Sequence, residues 1–336
     1  MVKLKSSTPK TVEAIYDTFV CENSEWMRPH LGASIIGRPC SRELWYIFRW
    51  AMRPQLEGRL LRLFERGNRE EDWLAESFNK IPGLIFFPKD PATNEQFRIL
   101  DCGGHFGGSL DGIGLGFLEA PKTWHLWECK TASDKYSNKL AKEGMRKAKF
   151  EHYVQQNIYM HKFRWRFKGK PVRLKRSMYH SVNKNTDHIY QERISYDRKI
   201  AEAHIERAGL IINASTPLTR ISEDPSWYQC TFCDHRPICH FEQIESLERN
   251  CRTCVSSTPK SNGTWTCEVT GGELTVKEQM KGCKKHLFIP HGLMPQQWEI
   301  DKVNEARRAI TYKRPDGILI TDMDADFCIR PEGIEV

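Results

Sequence analysis

The stretch His125-Leu126-Trp127-Glu128-Cys129-Lys130-Thr131 decides how the rest of the chain is read. Trp, Leu and Thr in a short run free of Gly and Pro predict a β-strand. Residues two apart on a strand share a face, so Glu128 and Lys130 point one way and Cys129 the other. Upstream, Gly107-Gly108-Ser109-Leu110-Asp111-Gly112 would let a hairpin bring Asp111 beside them. Two carboxylates and an ammonium at one point can hold a hard divalent cation through oxygen, with the lysine orienting or helping to deprotonate a water. On spacing alone, the competing reading is an exposed strand of alternating charges.

The 336 residues suffice for one large domain or two modest ones, with apolar content for a packed core. Basic residues outnumber acidic ones 51 to 43, a net charge of +8, and the surplus is local. Residues 134–176 carry fourteen Lys or Arg against three Asp or Glu, more than the whole net charge. A concentrated basic surface suits a polyanion, although solvated helix faces are also often basic. Phe163, Trp165 and Phe167 interleave with it and suit either base stacking or a core. The start, Met1-Val2-Lys3-Leu4-Lys5-Ser6, lacks an apolar secretory segment, and no run approaches membrane-spanning length. The expectation is a cytosolic protein with no membrane partner, whose twelve cysteines are metal ligands rather than disulfides. Asn213-Ala214-Ser215 and Asn262-Gly263-Thr264 match the glycosylation pattern, which has no meaning without secretion.

Along the chain, the first thirty residues suggest a helix and a connection, and residues 34–50 a helix with Pro39 in its first turn and Leu44, Ile47 and Phe48 following. Cys40 by itself reads as a small buried hydrophobe. A second helix over 60–78 carries the stripe Leu60, Phe64, Gly67, Leu74, Phe78, with Glu71 where an apolar residue belongs. A carboxylate there must be paired, protonated or bound to something, so Glu71 is a third acidic candidate; Glu70 lies off the stripe. Strands are predicted at 84–87, 97–100, 105–116 and 123–132. Gly112-Ile113-Gly114-Leu115-Gly116 is no dinucleotide fingerprint, lacking both the spacing and a following helix. A helix over 149–163 lines up Phe150, Val154 and Ile158 and stacks Gln155 and Tyr159 on the next face. Strands at 177–182 and 188–196 and a helix over 198–212 complete an α/β core.

The cysteines follow. Cys230, Cys233, Cys251 and Cys254 alone would make a zinc ribbon, leaving Cys239, Cys267 and Cys283 unused. Alternatively, Cys230, Cys233 and Cys239 join distant Cys40 in one four-thiolate site, and Cys251, Cys254, Cys267 and Cys283 form another. Four thiolates suit zinc or an iron–sulfur cluster alike. His286 could replace one cysteine or support the site from outside, and Cys21, Cys102, Cys129 and Cys328 read as buried thiols.

Glu71, Asp111, Glu128-x-Lys130 and Gln155-x3-Tyr159, bracketed by an early cysteine and a late C-x2-C-x5-C, resemble the RecB-type PD-(D/E)XK nucleases. The iron–sulfur exonucleases of CRISPR systems and bacteriophages are the nearest branch. The likeness spans residues 34–240 and lies in the combination and order of the motifs. It implies a PD-(D/E)XK core, a mixed central sheet flanked by helices, on which Asp111 and Glu128 ligate Mg2+ or Mn2+. By the same likeness Lys130 is the catalytic lysine, Gln155 and Tyr159 belong to the fifth motif, and Cys40, Cys230, Cys233 and Cys239 hold a 4Fe-4S cluster. One departure is Glu71, where the CRISPR branch often has His; Glu still offers an oxygen ligand but leaves the subfamily and metal preference open. The second cysteine set lies outside the resemblance and is assigned Zn2+ on spacing.

The tail is expected to hold a helix near 298–308 and a strand near 317–321. Asp322-x-Asp324-x-Asp326 lacks the Gly and Glu of a calcium loop and reads as an acidic turn. The expected layout is a nuclease domain with the cluster over residues 1–245, a zinc-binding module over 246–290 and a tail over 291–336. The expected activity is metal-dependent exonucleolytic hydrolysis of DNA. The resemblance also suggests a phage recombination, replication or repair role, with a single-strand annealing protein as partner; homo-oligomerisation is left open. The rival is a non-catalytic, metal-stapled DNA-binding or adaptor protein on a degenerate nuclease scaffold.

Overall fold

A computed structural model describes residues 8–23 and 27–323 and the backbone of 326–330. Two compact units emerge, one from residues 1–26, 55–99 and 108–202, the other from 27–54, 100–107 and 203–336. The chain is a mixed α/β protein.

The first unit is built on a five-stranded sheet in the order Ile189–Ser195, Arg176–Asn183, Trp124–Ala132, Gly112–Leu115, Ile85–Phe87. The central strand is antiparallel to Gly112–Leu115 and parallel to Arg176–Asn183. A parallel pair needs a crossover, and the helices Asp134–Glu143, Met145–Ala148 and Phe150–Lys162 supply it. Alternation then separates two cores. Trp127, Cys129 and Met178 pack with Ala75 and Phe78 of the helix Gly58–Phe78 and with Phe86 and Phe117. The Trp127 ring meets Phe78 and Phe86 edge-on at 5.3 and 5.1 Å, the arrangement that ring quadrupoles favour. On the opposite face Tyr179 packs with Leu140, Met145, Ala148, Tyr153 and Ile194. Glu128 stands opposite Tyr179 in the parallel register. It therefore shares the face that the crossover helices cover, and the exposed-strand reading is excluded.

Several expectations are corrected. Over 34–50 the helix begins only at Ser41 and runs to Phe48, with Cys40 at its N-cap and Pro39 before it. Arg207 holds that approach, donating to the carbonyls of Ile36 and Arg38, both at 2.7 Å, and of Pro39 at 3.1 Å. Phe64 is half exposed, and the buried line of its helix is Leu61, Ala75 and Phe78. The predicted 105–116 strand is two, Phe106–Ser109 and Gly112–Leu115, broken at Leu110 and Asp111. Phe163, Trp165 and Phe167 pack into a cluster with Phe87, Phe97 and Trp124 rather than facing solvent as a stacking platform.

In the second unit, Ser257–Pro259, Trp265–Cys267 and Gly272–Leu274 form a small antiparallel sheet. The tail forms a four-stranded antiparallel sheet of Glu299–Asn304, Ala309–Lys313, Leu319–Met323 and Asp326–Arg330, not a helix near 298–308. Ile310 and Tyr312 are buried on one strand and Ile320 stands opposite Tyr312 on the next, a pairing that outweighs the helix-favouring Glu305-Ala306-Arg307 turn. Asp322 is not in an acidic turn: it is buried in the Leu319–Met323 strand, pairs with Arg249 at 2.9 Å and accepts the Phe288 N–H at 2.8 Å. Asp324 lies outside the described residues, as do the side chains of Asp326 and Cys328. Cys21 is exposed rather than a buried thiol, and Cys102 is half-buried.

Candidate active site

Asp111 sits at the break before Gly112–Leu115, and that hairpin brings it to the central strand. Its Oδ2 accepts the Cys129 backbone N–H at 2.9 Å and lies 3.5 Å from Lys130 Nζ. Lys130 Nζ also stands 2.5 Å from Glu128 Oε1 and donates to the Cys129 carbonyl at 2.9 Å. The ammonium thus bridges the two carboxylates. Gln155 and Tyr159, both buried on the crossover helix Phe150–Lys162, are joined by a Gln155 Nε2 to Tyr159 Oη hydrogen bond of 3.3 Å. Gly108 makes room for that hydroxyl: a Cβ there would lie 2.4 Å from Tyr159 Oη.

The electrostatics are those of crowded acids. Glu128 is completely buried, and burial followed by the Asp111 charge pushes its carboxyl pKa up against the pull of Lys130. Half-buried Glu71 is raised to about 8 by burial, then by Asp111, with Glu128 and Asp72 adding to it. Burial works to lower the Lys130 pKa, but Asp111 and Glu128 prevail and hold it well above its ordinary value. The structure therefore brings Glu71 within electrostatic reach of Asp111, Glu128 and Lys130.

Among the described residues no group of three or more His, Cys, Asp or Glu side chains is gathered so that it could hold a metal ion. A Mg2+ site needs less, since that ion keeps several waters and is held by one or two carboxylates plus substrate phosphates. Glu128 fits this requirement: Lys130 and the Gln155 amide are close enough to pull its pKa down, yet among the described residues no donor is well aligned on either of its oxygens, and Gln155 Oε1 is likewise without a partner. A buried carboxylate so placed is costly until a cation or proton compensates it.

Sequence reading missed Tyr179 and His152. Tyr179 lies opposite Glu128 and its hydroxyl is 3.1 Å from His152 Nδ1; burial, then Lys130 and Lys149, lowers the His152 pKa to about 3. The imidazole against the Tyr179 hydroxyl could be found only once the strand register was known.

Both cysteine sets lie within the second unit. Burial raises Cys239 and Cys230, and Cys40 adds to both; Cys233 is raised to about 12 by burial, with smaller contributions that include Cys40 and Cys239. In the second set Cys251, Cys254, Cys267 and Cys283 line one small hollow together with His286. Cys251 is raised to about 11 by burial and then by the other three. His286 has both ring nitrogens engaged, with Thr253 Oγ1 at 3.0 Å and Arg249 Nη1 at 3.1 Å.

No helix among the described residues is long and apolar enough to cross a membrane. No protein-family model matches the chain, and no curated protein does. Among solved structures it is similar to SSO0001, at 14% identity and a TM-score of 0.39, over 68% of this chain and 96% of that one. It is also similar to the exonuclease LHK-Exo in complex with dAMP, at 12% identity and a TM-score of 0.36, over 59% of this chain and 90% of that one. At such scores the function rests on the chain's own side chains.

Proposed function

We propose that the chain is a Mg2+- or Mn2+-dependent deoxyribonuclease, an exonuclease that hydrolyses DNA phosphodiester bonds on a PD-(D/E)XK core. The observation that carries this reading is Glu128, a sequestered carboxylate with one ammonium for compensation and no aligned donor on either oxygen. Asp111, steadied by the Cys129 N–H, would be the second ligand, and Glu71 supplies a further carboxylate beside them. A divalent ion held there supplies Lewis-acid polarisation of the phosphodiester and a more acidic water. Lys130 keeps its proton and places positive charge where the attacking water meets the phosphoryl oxygens. Gln155 and Tyr159 wall the site from the crossover helix. The exposed Lys135, Lys139, Lys142, Arg146 and Lys147 offer a basic path for the strand.

The same proposal gives a 4Fe-4S cluster to Cys40, Cys230, Cys233 and Cys239 and Zn2+ to Cys251, Cys254, Cys267 and Cys283. Its support is the mutual influence of the thiols in each set and the single hollow that the second set lines, although among the described residues neither set is gathered closely enough to hold a metal ion as it stands. A single-strand annealing protein and a phage recombination, replication or repair setting belong to it as well. The test is digestion of end-labelled single- and double-stranded DNA with Mg2+ or Mn2+. Stepwise release of nucleotides from one end is expected. Binding without product under either ion would favour the adaptor reading and overturn this one.

A further inference from the structure

Among the described residues, the second unit buries a guanidinium without a counter-charge. Arg49, at the C-cap of the helix Ser41–Phe48, is 4% exposed. It donates to the carbonyls of Arg252 at 3.3 Å and Ala214 at 3.2 Å, while its Nε has no acceptor. Neighbouring Arg252, also buried, donates to Gln279 Oε1 and to the Phe48 and Pro29 carbonyls. Neither arginine forms an ion pair with any described residue. Ring faces soften the charge, with Arg49 5.4 and 5.1 Å from the Trp45 and Trp265 centroids and Arg252 3.7 Å from that of Trp50. They do not neutralise it, and burial pushes Arg49 down to about 10 and Arg252, which also feels Arg49, down to about 9.

Arg49 lines a cavity of about 280 Å3, near the lower end of the roughly 300–1,000 Å3 usual for ligand sites. Around it stand Ser257, Thr258, Ser215, Thr216 and His291, and among the described residues no acidic one lines it. Ser257 is buried, and its hydroxyl, like Arg49 Nε, lacks a partner. A guanidinium with several hydroxyls around it offers more donors than the two oxygens of a carboxylate require. It suits the three or four oxygens of a tetrahedral anion.

We propose that this cavity is a phosphate-binding site, separate from the Asp111–Glu128–Lys130 cluster, that receives a phosphate group through Arg49, Ser257 and the neighbouring hydroxyls. The proposal does not depend on the nuclease reading. The test uses the full-length protein in magnesium-free buffer, titrated calorimetrically with inorganic phosphate against chloride and acetate at equal ionic strength. Saturable phosphate binding is expected, lost in Arg49→Gln and weakened roughly tenfold in the milder Ser257→Ala/Thr216→Val variant, about one charge-assisted contact. Glu128→Gln should leave it unchanged. A second arm compares a 5′-phosphorylated oligonucleotide with its 5′-hydroxyl counterpart. Tighter binding of the phosphorylated strand, with its advantage reduced by Ser257→Ala/Thr216→Val, identifies a nucleic-acid end as the source, and equal binding of the two strands identifies the free anion. Phosphate binding no stronger than that of chloride, undiminished in Ser257→Ala/Thr216→Val, or lost in Glu128→Gln would overturn the proposal.

Discussion

Glu128, Lys130 and Asp111 were legible as single residues because a strand has a period of two and a glycine-flanked turn returns the chain to its neighbour. What fixes them was not legible, because a backbone N–H carries no sequence signature: the Cys129 amide that holds Asp111 belongs to a residue whose side chain faces the other core. The cost of this crowding is measurable. A carboxylate whose folded-state pKa is raised binds a proton that the unfolded chain has already lost. Its stabilising effect is therefore present below its ordinary value near 4.5 and is lost as pH rises through the folded value, about 8 for Glu71. The melting temperature of metal-free protein should fall across that window, and it should fall less in Glu71→Gln. Added Mg2+ should flatten the slope. A metal-free protein equally stable from pH 5 to pH 8 would contradict the raised values. Glu128→Gln should remove cleavage yet melt no lower than the wild type near pH 8, because it removes a buried charge.

At the scale of elements, the central strand, the crossover helix and the helix of Glu71 were legible in type and extent, but the burial of the strand on both faces and of the crossover helix from Tyr153 to Met160 was not. The tail was not: Glu305-Ala306-Arg307-Arg308 looks helical in isolation but turns between Glu299–Asn304 and Ala309–Lys313, and the buried Ile310 and Tyr312 of the second strand are covered only once the sheet forms. The delayed start of the Ser41–Phe48 helix was hidden for a similar reason, since Arg207, far along the chain, holds the turn before it. The join between the crossover helix and the hairpin gives a prediction of its own. Gly108→Ala would set a methyl against the Tyr159 hydroxyl and ring, at 2.4 and 3.0 Å, and should destabilise the protein by about 1–3 kcal/mol while lowering activity. Tyr159→Phe removes the nearest atom, so the double variant should lose less than the sum of the two single ones in denaturant melts. Strict additivity would mean that the two positions do not touch.

At the scale of the whole molecule, the charge surplus and the cysteine spacings suggested a nucleic-acid partner and two thiolate sites. Composition could not reveal a second unit with buried arginines of its own, because a lone Arg in sequence does not announce that it lacks a partner. Protein purified without oxygen should be brown and contain four irons and one zinc per chain. Cys233→Ser should bleach the colour and spare the zinc, whereas Cys267→Ser should do the reverse. Colourless protein with two zincs would remove the cluster and leave the carboxylate site untouched. That site is tested most directly by a single-turnover digestion of end-labelled DNA in Mg2+, run for wild type and Lys130→Ala with strand binding measured alongside. The expected result is cleavage by the wild type and none by Lys130→Ala, at similar affinity for DNA. Cleavage by Lys130→Ala at the wild-type rate would contradict the assignment.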